Sequence, residues 1–443
     1  MEADVVVIGG GLAGTMAALR AAERGSGVVL IRKGYGSSAM SSGTIDIAGP
    51  EQFLPMDAWD TLPRIGDRLK EILRTNPLHP YSIVAGGRTG IDNLQERLRE
   101  ACDFTLRQTP GLGLSGSHGQ NVALPTVAGT VKFTAFAPAS LIEGNLSAMT
   151  DANVLLVGFK GLALFHPHIC KQALARYSSL HSPRCIAEID VIECDVPGSQ
   201  NGRPLKPFEI AKRFDDLHAA EEFARSLAGQ LPPKVTHVGF PPVLGLDNHS
   251  KTCETFRRHL TPRLFEMIAP NFSVPGYRLQ LSLDAALRNS SVRVVTAEAV
   301  DAKRDGRIVR NLLLGDMKSK RTATAKNYVV ATGKFSSGGL VANDFPKEPI
   351  FGLPLFCHDK RADDNFIGNL LRWNVDSKQL FLSCGIHIDS ALRPLDAFGE
   401  PAYENLFAAG SIIGEYDYVS EKCGMGVAAL TGYLAGEKAA AEI

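Results

Sequence analysis

Long apolar runs are missing from this chain. Across its 443 residues no stretch approaches the ~20 apolar residues that a membrane-spanning helix needs. The opening residues, MEADVVVIGG, begin acidic and turn strand-like, without the basic-then-apolar pattern of a secretory signal. Charge of one sign is missing too. The 47 basic residues meet 47 acidic ones, where a dedicated nucleic-acid binder shows a basic excess. Clustered cysteines are the third absence. None of the eight cysteines forms a C-x-x-C pair, which argues against iron–sulfur and structural zinc sites and fits reduced thiols in the cytoplasm. HPHIC at 166–170 invites a metal reading, but a proline-broken helix start ahead of a buried cysteine accounts for it better. There is no internal repeat and no low-complexity tract. What remains is a globular balance, 44% hydrophobic and 21% charged. The length allows a large core and two or three domain-sized units.

Residues 4–8, DVVVI, have the β-branched density of a buried strand. GGGLAG follows at 9–14. TMAALRAAERG then continues as a helix, with apolar spacing through Met16, Ala17, Leu19, Ala21 and Ala22 and a stop at Gly25. GVVLI is the next strand, so a βαβ unit opens the chain. Residues 60–106 read as amphipathic helices and 107–135 as a Gly-, Ser- and Thr-rich loop region. Strands are expected at 154–159 and 186–196, with a helix between them. Helices are expected at 217–231 and 278–287, and strands at 292–296, 307–314 and 327–333. A last strand, NLFAAG, precedes a closing helix, GVAALTGYLAGEKAA. This order predicts an α/β fold, a Rossmann-like flavin-binding domain with an inserted α+β substrate/cap domain. The first is expected over 1–110, 275–340 and 400–443, the second over 111–274 and 341–399.

Gly9-x-Gly11-x-x-Gly14 sits directly between the first strand and helix. Gly9 permits the tight turn, Gly11 lets backbone approach a pyrophosphate, and Gly14 lets helix and strand pack closely. Leu12 and Ala13 open the helix, whose free N–H groups and dipole face the phosphates. The acid that holds a ribose is due about 20 residues later. That slot holds Arg32, followed by Lys33. Arginine accepts no hydrogen bond. Three readings follow from the residues: FAD held differently, a 2′-phosphorylated nicotinamide dinucleotide, or FMN with no adenosine to hold.

Two later segments belong to the same side of the fold. In YVVATGKFSSGG (328–339), Thr332 and Gly333 end a strand expected against the dinucleotide. In ENLFAAGSIIGEYD (404–417) and KCGMGVAALTGYLAGEKAA (422–440), Gly410 lies in the loop and Gly424, Gly426 and Val427 at the helix start. A helix start there stabilises the negative charge that a reduced flavin develops.

The chain resembles the B-subunit family of the anaerobic glycerol-3-phosphate dehydrogenases, flavoproteins of the fumarate reductase-like superfamily. The segments that carry the resemblance are DVVVIGGGLAG, SSGTIDIAG (41–49), LPTVAGTVKFT (124–134), SVPGYRLQ (273–280), ATGKFSSGGLVAN (331–343), EPIFGLP (348–354), RPLDAFGEP (393–401) and NLFAAGSIIGEYD. The most distinctive are Ser41-Ser42-Gly43 with Asp46, and F-S-S-G-G-L. Between 160 and 260 little matches. The resemblance implies FMN as a non-covalent cofactor, with FAD as the alternative. As partners it implies the other two glycerol-3-phosphate dehydrogenase subunits, the flavoprotein A-subunit and the iron–sulfur, membrane-associated C-subunit. The chain itself is expected in the cytoplasm, reaching the inner membrane through a partner. The implied reaction is oxidation of sn-glycerol 3-phosphate to dihydroxyacetone phosphate, with hydride transfer to a flavin, a base taking the hydroxyl proton and electrons passing toward quinone.

Candidate site residues follow. Ser41, Ser42 and Gly43 offer N–H and hydroxyl groups to a flavin. Lys132, in TVKFT, is a point charge for a substrate phosphate. Arg278, just past a Pro-Gly turn, is a bidentate clamp for a phosphate or carboxylate. His237 and His358 are candidate general bases. Each of these four has a plain structural alternative, as a solvated lysine, a structural ion pair or a satisfied core histidine.

Overall fold

Strand β1 (Glu2–Ile8) runs into helix α1 (Leu12–Glu23) and returns as β2 (Val28–Arg32) in the computed structural model. The structure describes residues 1–50, 64–181, 184–198, 203–270, 273–315, 320–374 and 377–441. β1 and β2 are parallel, with Val5 opposite Val28 and Ile8 opposite Ile31. Helices α2 (Ile65–Thr75), α3 (Pro80–Ala85) and α4 (Ile91–Gln108) occupy the expected helical region, of which 60–63 lie outside the described residues. In α4 the buried stripe is Leu94, Leu98, Ala101, Cys102 and Thr105, one face at helical spacing.

The region 107–135 differs from the expected loop. It contains a hairpin of β3 (Val122–Pro125) and β4 (Val131–Thr134), and a short ladder of Ser115–Gly116 with Phe136–Ala137. Strands this short carry too few alternations to stand out from Gly and Thr neighbours. The hairpin carries Lys132.

The insertion then alternates strand and helix: β5 (Ala152–Phe159), α5 (Pro167–Ser179), β6 (Ile186–Cys194), α6 (Leu217–Ala228), β7 (His237–Phe240), α7 (His249–His259) and β8 (Arg263–Glu266). Helical crossovers return each strand in the same direction, so the sheet is wholly parallel, in the order β8-β7-β5-β6. Phe214 and Phe256 pack against Phe223 and Phe240 on one of its faces.

Helix α8 (Val274–Arg288) brings the chain back to the first sheet. Ser273 caps it through Gly276 N–H and also donates to Ser41 O at 2.6 Å. There follow β9 (Arg293–Thr296), β10 (Glu298–Asp305), β11 (Ile308–Gly315), β12 (Lys320–Val330), β13 (Leu406–Ala408) and α9 (Gly424–Ala441). The sheet order is β9-β2-β1-β12-β11-β10, with β13 on the C-terminal half of β12. β10, β11 and the start of β12 form the antiparallel meander. Helix α9 lies on α1 at short range. A Cβ on Gly432 or Gly436 would sit 2.4 or 2.3 Å from Ala13 O or Ala17 O, so only glycine allows the approach. No helix among the described residues is long and apolar enough to cross a membrane.

Two large hydrophobic clusters result. One joins the first sheet to α1, α4 and α9; the other fills the inserted sheet from Ala123 to Ala269. Residues 341–399, grouped above with the inserted domain, send Phe351, Leu355, Cys384 and Ile386 into the first cluster instead. The segment is poor in regular structure, so its sequence holds no periodicity to say which core it joins.

Candidate functional site

The glycine loop opens onto a cavity of about 1020 Å³ between the two clusters. Gly9, Gly11, Leu12, Ala13, Arg32, Lys33, Ser41, Ser42, Thr332, Gly333, Gly410, Gly424 and Lys132 line it. Gly14, Gly43, Gly426 and Val427 stand behind the wall. Their work is packing: a Cβ on Gly14 would lie 2.0 Å from Gly9 O, and one on Gly426 2.4 Å from the Tyr81 hydroxyl. Gly9, at φ +121°, lets the loop pass β12, where a Cβ would meet Ala331 O at 2.2 Å. Gly11 caps α1 without a side-chain hydrogen bond, and a Cβ there would meet only Ser38 Oγ, at 3.4 Å, and Gly36 Cα, at 3.7 Å. Ser38 Oγ accepts from Leu12 N–H at 2.9 Å and braces the helix start.

Arg32 does not offer a free charge. Its guanidinium donates to Asp284 of α8 at 2.5 and 3.3 Å, and Gln280 donates to both Asp284 Oδ1 and Gly10 O. The arginine therefore ties β2 to α8, with its stem lying over Gly10. Lys33 pairs with Glu298 at 2.7 Å. The cavity continues past both residues to Ala297, Glu298 and Ala299.

At the other end, Asp46 is the centre of a charged group. Its backbone O accepts from Gly426 N–H at 2.8 Å. Its carboxylate accepts from Lys132 Nζ at 2.8 Å and from Thr44 Oγ at 3.1 Å. Lys422 lines the same wall; burial, then the nearby Lys132 charge, hold its pKa below the ordinary lysine value. Lys334, next after Gly333, donates to Leu382 O, and burial brings its pKa down to about 8.

Behind Lys422, His79 Nδ1 accepts from Tyr81 N–H, which leaves the proton on Nε2 to face Glu421 at 3.1 Å. With Cys423 this is the one grouping of potential metal ligands among the described residues. It does not fit a metal. The imidazole lone pair on Nδ1 is already used by Tyr81 N–H, and the protonated Nε2 faces the Glu421 carboxylate. The His79–Glu421 pair instead clasps the segment that carries Lys422.

The remaining three sequence candidates lie elsewhere. Arg278 is buried, with Glu266 at 2.6 and 3.1 Å and Gly245 O at 2.6 and 2.9 Å. Four of its five N–H groups are spent on these two partners and it does not line the cavity, which corrects the expectation of a clamp there. The pair joins α8 to the end of β8. His237 sits buried on β7 beside Thr236 Oγ, away from the cavity wall. His358 is exposed at a hairpin tip, at φ +51°. Neither is placed as a base for this cavity. Asp46, Lys422 and Lys334 were not singled out from the sequence as chemical groups. Asp46 and Lys334 had only their place inside segments that carry the resemblance, and Lys422 only its place before the closing helix, because lone charged residues follow no spacing rule.

The sequence profile of the family described as FAD binding domain matches residues 4–427. A relative from Halobacterium salinarum, named as the probable B-subunit of an anaerobic glycerol-3-phosphate dehydrogenase, is 31% identical over 100% of this chain and 99% of its own. The chain belongs to the B-subunit family of the anaerobic glycerol-3-phosphate dehydrogenases. Relatives from Actinobacillus pleuropneumoniae and Yersinia pestis, named as the B-subunit of the same enzyme, are each 28% identical, over 99% and 100% of this chain and 99% of their own. Among solved structures, the chain is similar to 3-ketosteroid delta1-dehydrogenase from Sterolibacterium denitrificans (TM-score 0.47, 12% identity, 100% of both chains). It is also similar to a flavocytochrome c3 fumarate reductase (TM-score 0.43, 11% identity, 100% of this chain and 78% of that one).

As a member of this B-subunit family the chain is a flavin-binding protein of the fumarate reductase-like superfamily, and its residues fit that cofactor. Gly11 leaves open space at the start of α1. Thr332 Oγ is buried on the cavity wall without a hydrogen-bond partner among the described residues. The start of α9 presents Gly424 and Met425 to the same space. The preference for FMN finds no support. The matching profile describes an FAD binding domain, and the cavity runs on beyond Arg32 to Ala297, Glu298 and Ala299.

Proposed function

We propose that this chain is the flavin-dependent dehydrogenase component of a multi-subunit enzyme. It oxidises sn-glycerol 3-phosphate to dihydroxyacetone phosphate, with FAD held non-covalently, and delivers electrons through partner proteins toward quinone. The observation that carries the reading is the Asp46–Lys132 pair on the wall of the flavin cavity. A bound flavin supplies the acceptor for a hydride from the carbinol carbon. The chain must then supply cationic groups for the phosphate and an acceptor for the hydroxyl proton. Lys132, from the inserted part, and Asp46, from the flavin-binding part, meet at 2.8 Å and provide one of each. The names of the relatives support a multi-subunit assembly. The eight cysteines are scattered and unpaired, so electrons leave through a partner's centres. The two clusters support a division in which 341–399 belongs with the flavin-binding domain.

The test is to purify the chain, release and identify its flavin, and add sn-glycerol 3-phosphate under anaerobic conditions. FAD that bleaches in the isolated chain supports the reading. Bleaching only when a partner flavoprotein is present would make this chain an electron relay. Bleaching by a reduced nicotinamide nucleotide would overturn the substrate assignment.

A further inference from the structure

Lys422 is held in a way that its neighbours do not explain. It is a non-glycine residue at φ +50°, two positions before the start of α9. Its stem packs on Gly49, where a Cβ would lie 2.6 Å from Lys422 Cβ, and Gly49 N–H donates to Glu421 O. The His79–Glu421 clasp fixes the same turn. A left-handed turn of this kind is easier for glycine, so a lysine here keeps its side chain at the expense of an easier backbone.

The charge balance around it is incomplete. Two carboxylates face Lys422, those of Asp46 and Asp417. Asp46 is taken by Lys132 and Thr44. Asp417 is taken by Val419 N–H, Ser420 N–H and Ser420 Oγ. The Lys422 ammonium makes no hydrogen bond or ion pair with any described residue, although it is half-buried on the cavity wall. A half-buried cation without an anion is unfavourable unless a ligand completes it. Lys132 stands close enough to oppose its charge. Of these groups Lys422, Lys132 and Asp46 line the cavity and leave one positive charge facing it; Asp417, whose oxygens are taken by the turn at 419–420, is not on the wall.

We propose that Lys422 is the anion-binding residue of the substrate site. It receives the phosphate group of a small phosphate monoester, with the Lys132–Asp46 pair beside it. Lys132, paired with its carboxylate, contributes a partly compensated charge; Lys422 contributes the unpaired one. Asp46, held between Lys132 and Thr44, is then left to accept the proton of the neighbouring hydroxyl. This deepens the dehydrogenase reading above and rests on it for the identity of the phosphate monoester, but not for the presence of an anion site.

The experiment uses the flavin-loaded full-length chain. Inorganic phosphate, sn-glycerol 3-phosphate, a C4 dicarboxylate and glycerol are titrated separately, by calorimetry and by perturbation of the flavin spectrum. Lys422→Gln is expected to weaken both phosphate ligands by about tenfold or more, with flavin content unchanged and Lys422→Arg largely restoring them. A second measurement needs no variant. Phosphate should protect Lys422 of the wild-type chain from an amine-acylating reagent, read by mass spectrometry. Equal phosphate affinity in wild type and Lys422→Gln, or no protection, overturns the proposal. Loss of flavin in place of phosphate affinity also overturns it, because Lys422 would then serve the cofactor. If phosphate or the dicarboxylate binds through Lys422 but sn-glycerol 3-phosphate binds no better and does not bleach the flavin, the anion site stands and the substrate assignment falls.

Discussion

Arg32 occupies the slot where a ribose-binding acid is due, and its partner decides its meaning. Asp284 is 252 positions away in the chain and Gln280 nearly as far, so no local reading of GVVLIRKG reaches them. The carboxylate side chain is 7% exposed and the arginine 19%, so the pair is mostly out of water. Removing one member strands the other. Arg32→Met should therefore lower stability by about 2 kcal/mol, read by denaturant unfolding. Arg32→Met with Asp284→Leu should recover part of that loss, because no charge is then left unpaired. FAD content should survive in the double variant. If it were lost while the single Asp284→Leu chain kept its flavin, the guanidinium would be a cofactor contact after all. The glycines of the loop were legible because each is required by a backbone approach within one βαβ unit. Asp284, Asp46 and Lys422 were not, because tertiary packing alone brings them to the site.

Elements carry a second lesson at the junction of α8 and β8. Alternating strands and helices were readable from periodicity, and so was α8 itself. What α8 does was not. Arg278 looked like a clamp because it follows a Pro-Gly turn; the fold spends it on Glu266, which lies at the end of a strand with too little sequence signal to predict a partner. Burial alone would raise the Glu266 carboxyl, but the Arg278 guanidinium outweighs it and holds the group down at about 2. Its folded value is below the unfolded one. Its stabilisation is thus complete above about pH 4.5 and is lost as the pH falls toward about 2. Next to it, burial holds His249 at about 4 against an ordinary 6.5. The unfolded chain takes up that proton first, so stability should already decline as the pH falls from 6.5 toward about 4. Melting temperatures measured from pH 7 to 4 should show this slope, and His249→Gln should flatten its upper part. An unchanged slope in that variant would place the titrating group elsewhere. Arg278→Met, by leaving Glu266 buried and alone, should cost about 3–5 kcal/mol. A substrate clamp would show the opposite pattern, a raised KM with stability intact.

At the scale of the whole molecule, the cavity lies where two separately packed cores meet. β1, β2, β12 and α9 belong to one core, while β5, β7 and β8 belong to the other. Lys132 reaches Asp46 from the hairpin between them, and Arg278 reaches Glu266 from α8. These two ion pairs are among the contacts that join the cores around the site, with Ser273 to Ser41 O and Thr134 to Ile45 O. On the proposed reading a flavin would be bounded chiefly by cavity-lining segments of the first core: the glycine loop, 331–338, Gly410 and the start of α9. Cofactor binding should therefore stabilise the cores unequally. At a flavin concentration 100 times its Kd, mass action adds about 2.7 kcal/mol to whatever unfolds with the site. Hydrogen exchange on the chain with and without flavin reads this directly. Removal should speed exchange in peptides covering 5–8, 328–330 and 427–439. Peptides covering 154–159 and 237–240, whose core is closed by Phe214, Phe240 and Phe256, should keep most of their protection. Loss of protection in both sets to the same extent would mean that the cores unfold as one cooperative unit. The Arg278–Glu266 pair would then be the coupling to test, since Arg278→Met should separate the two responses.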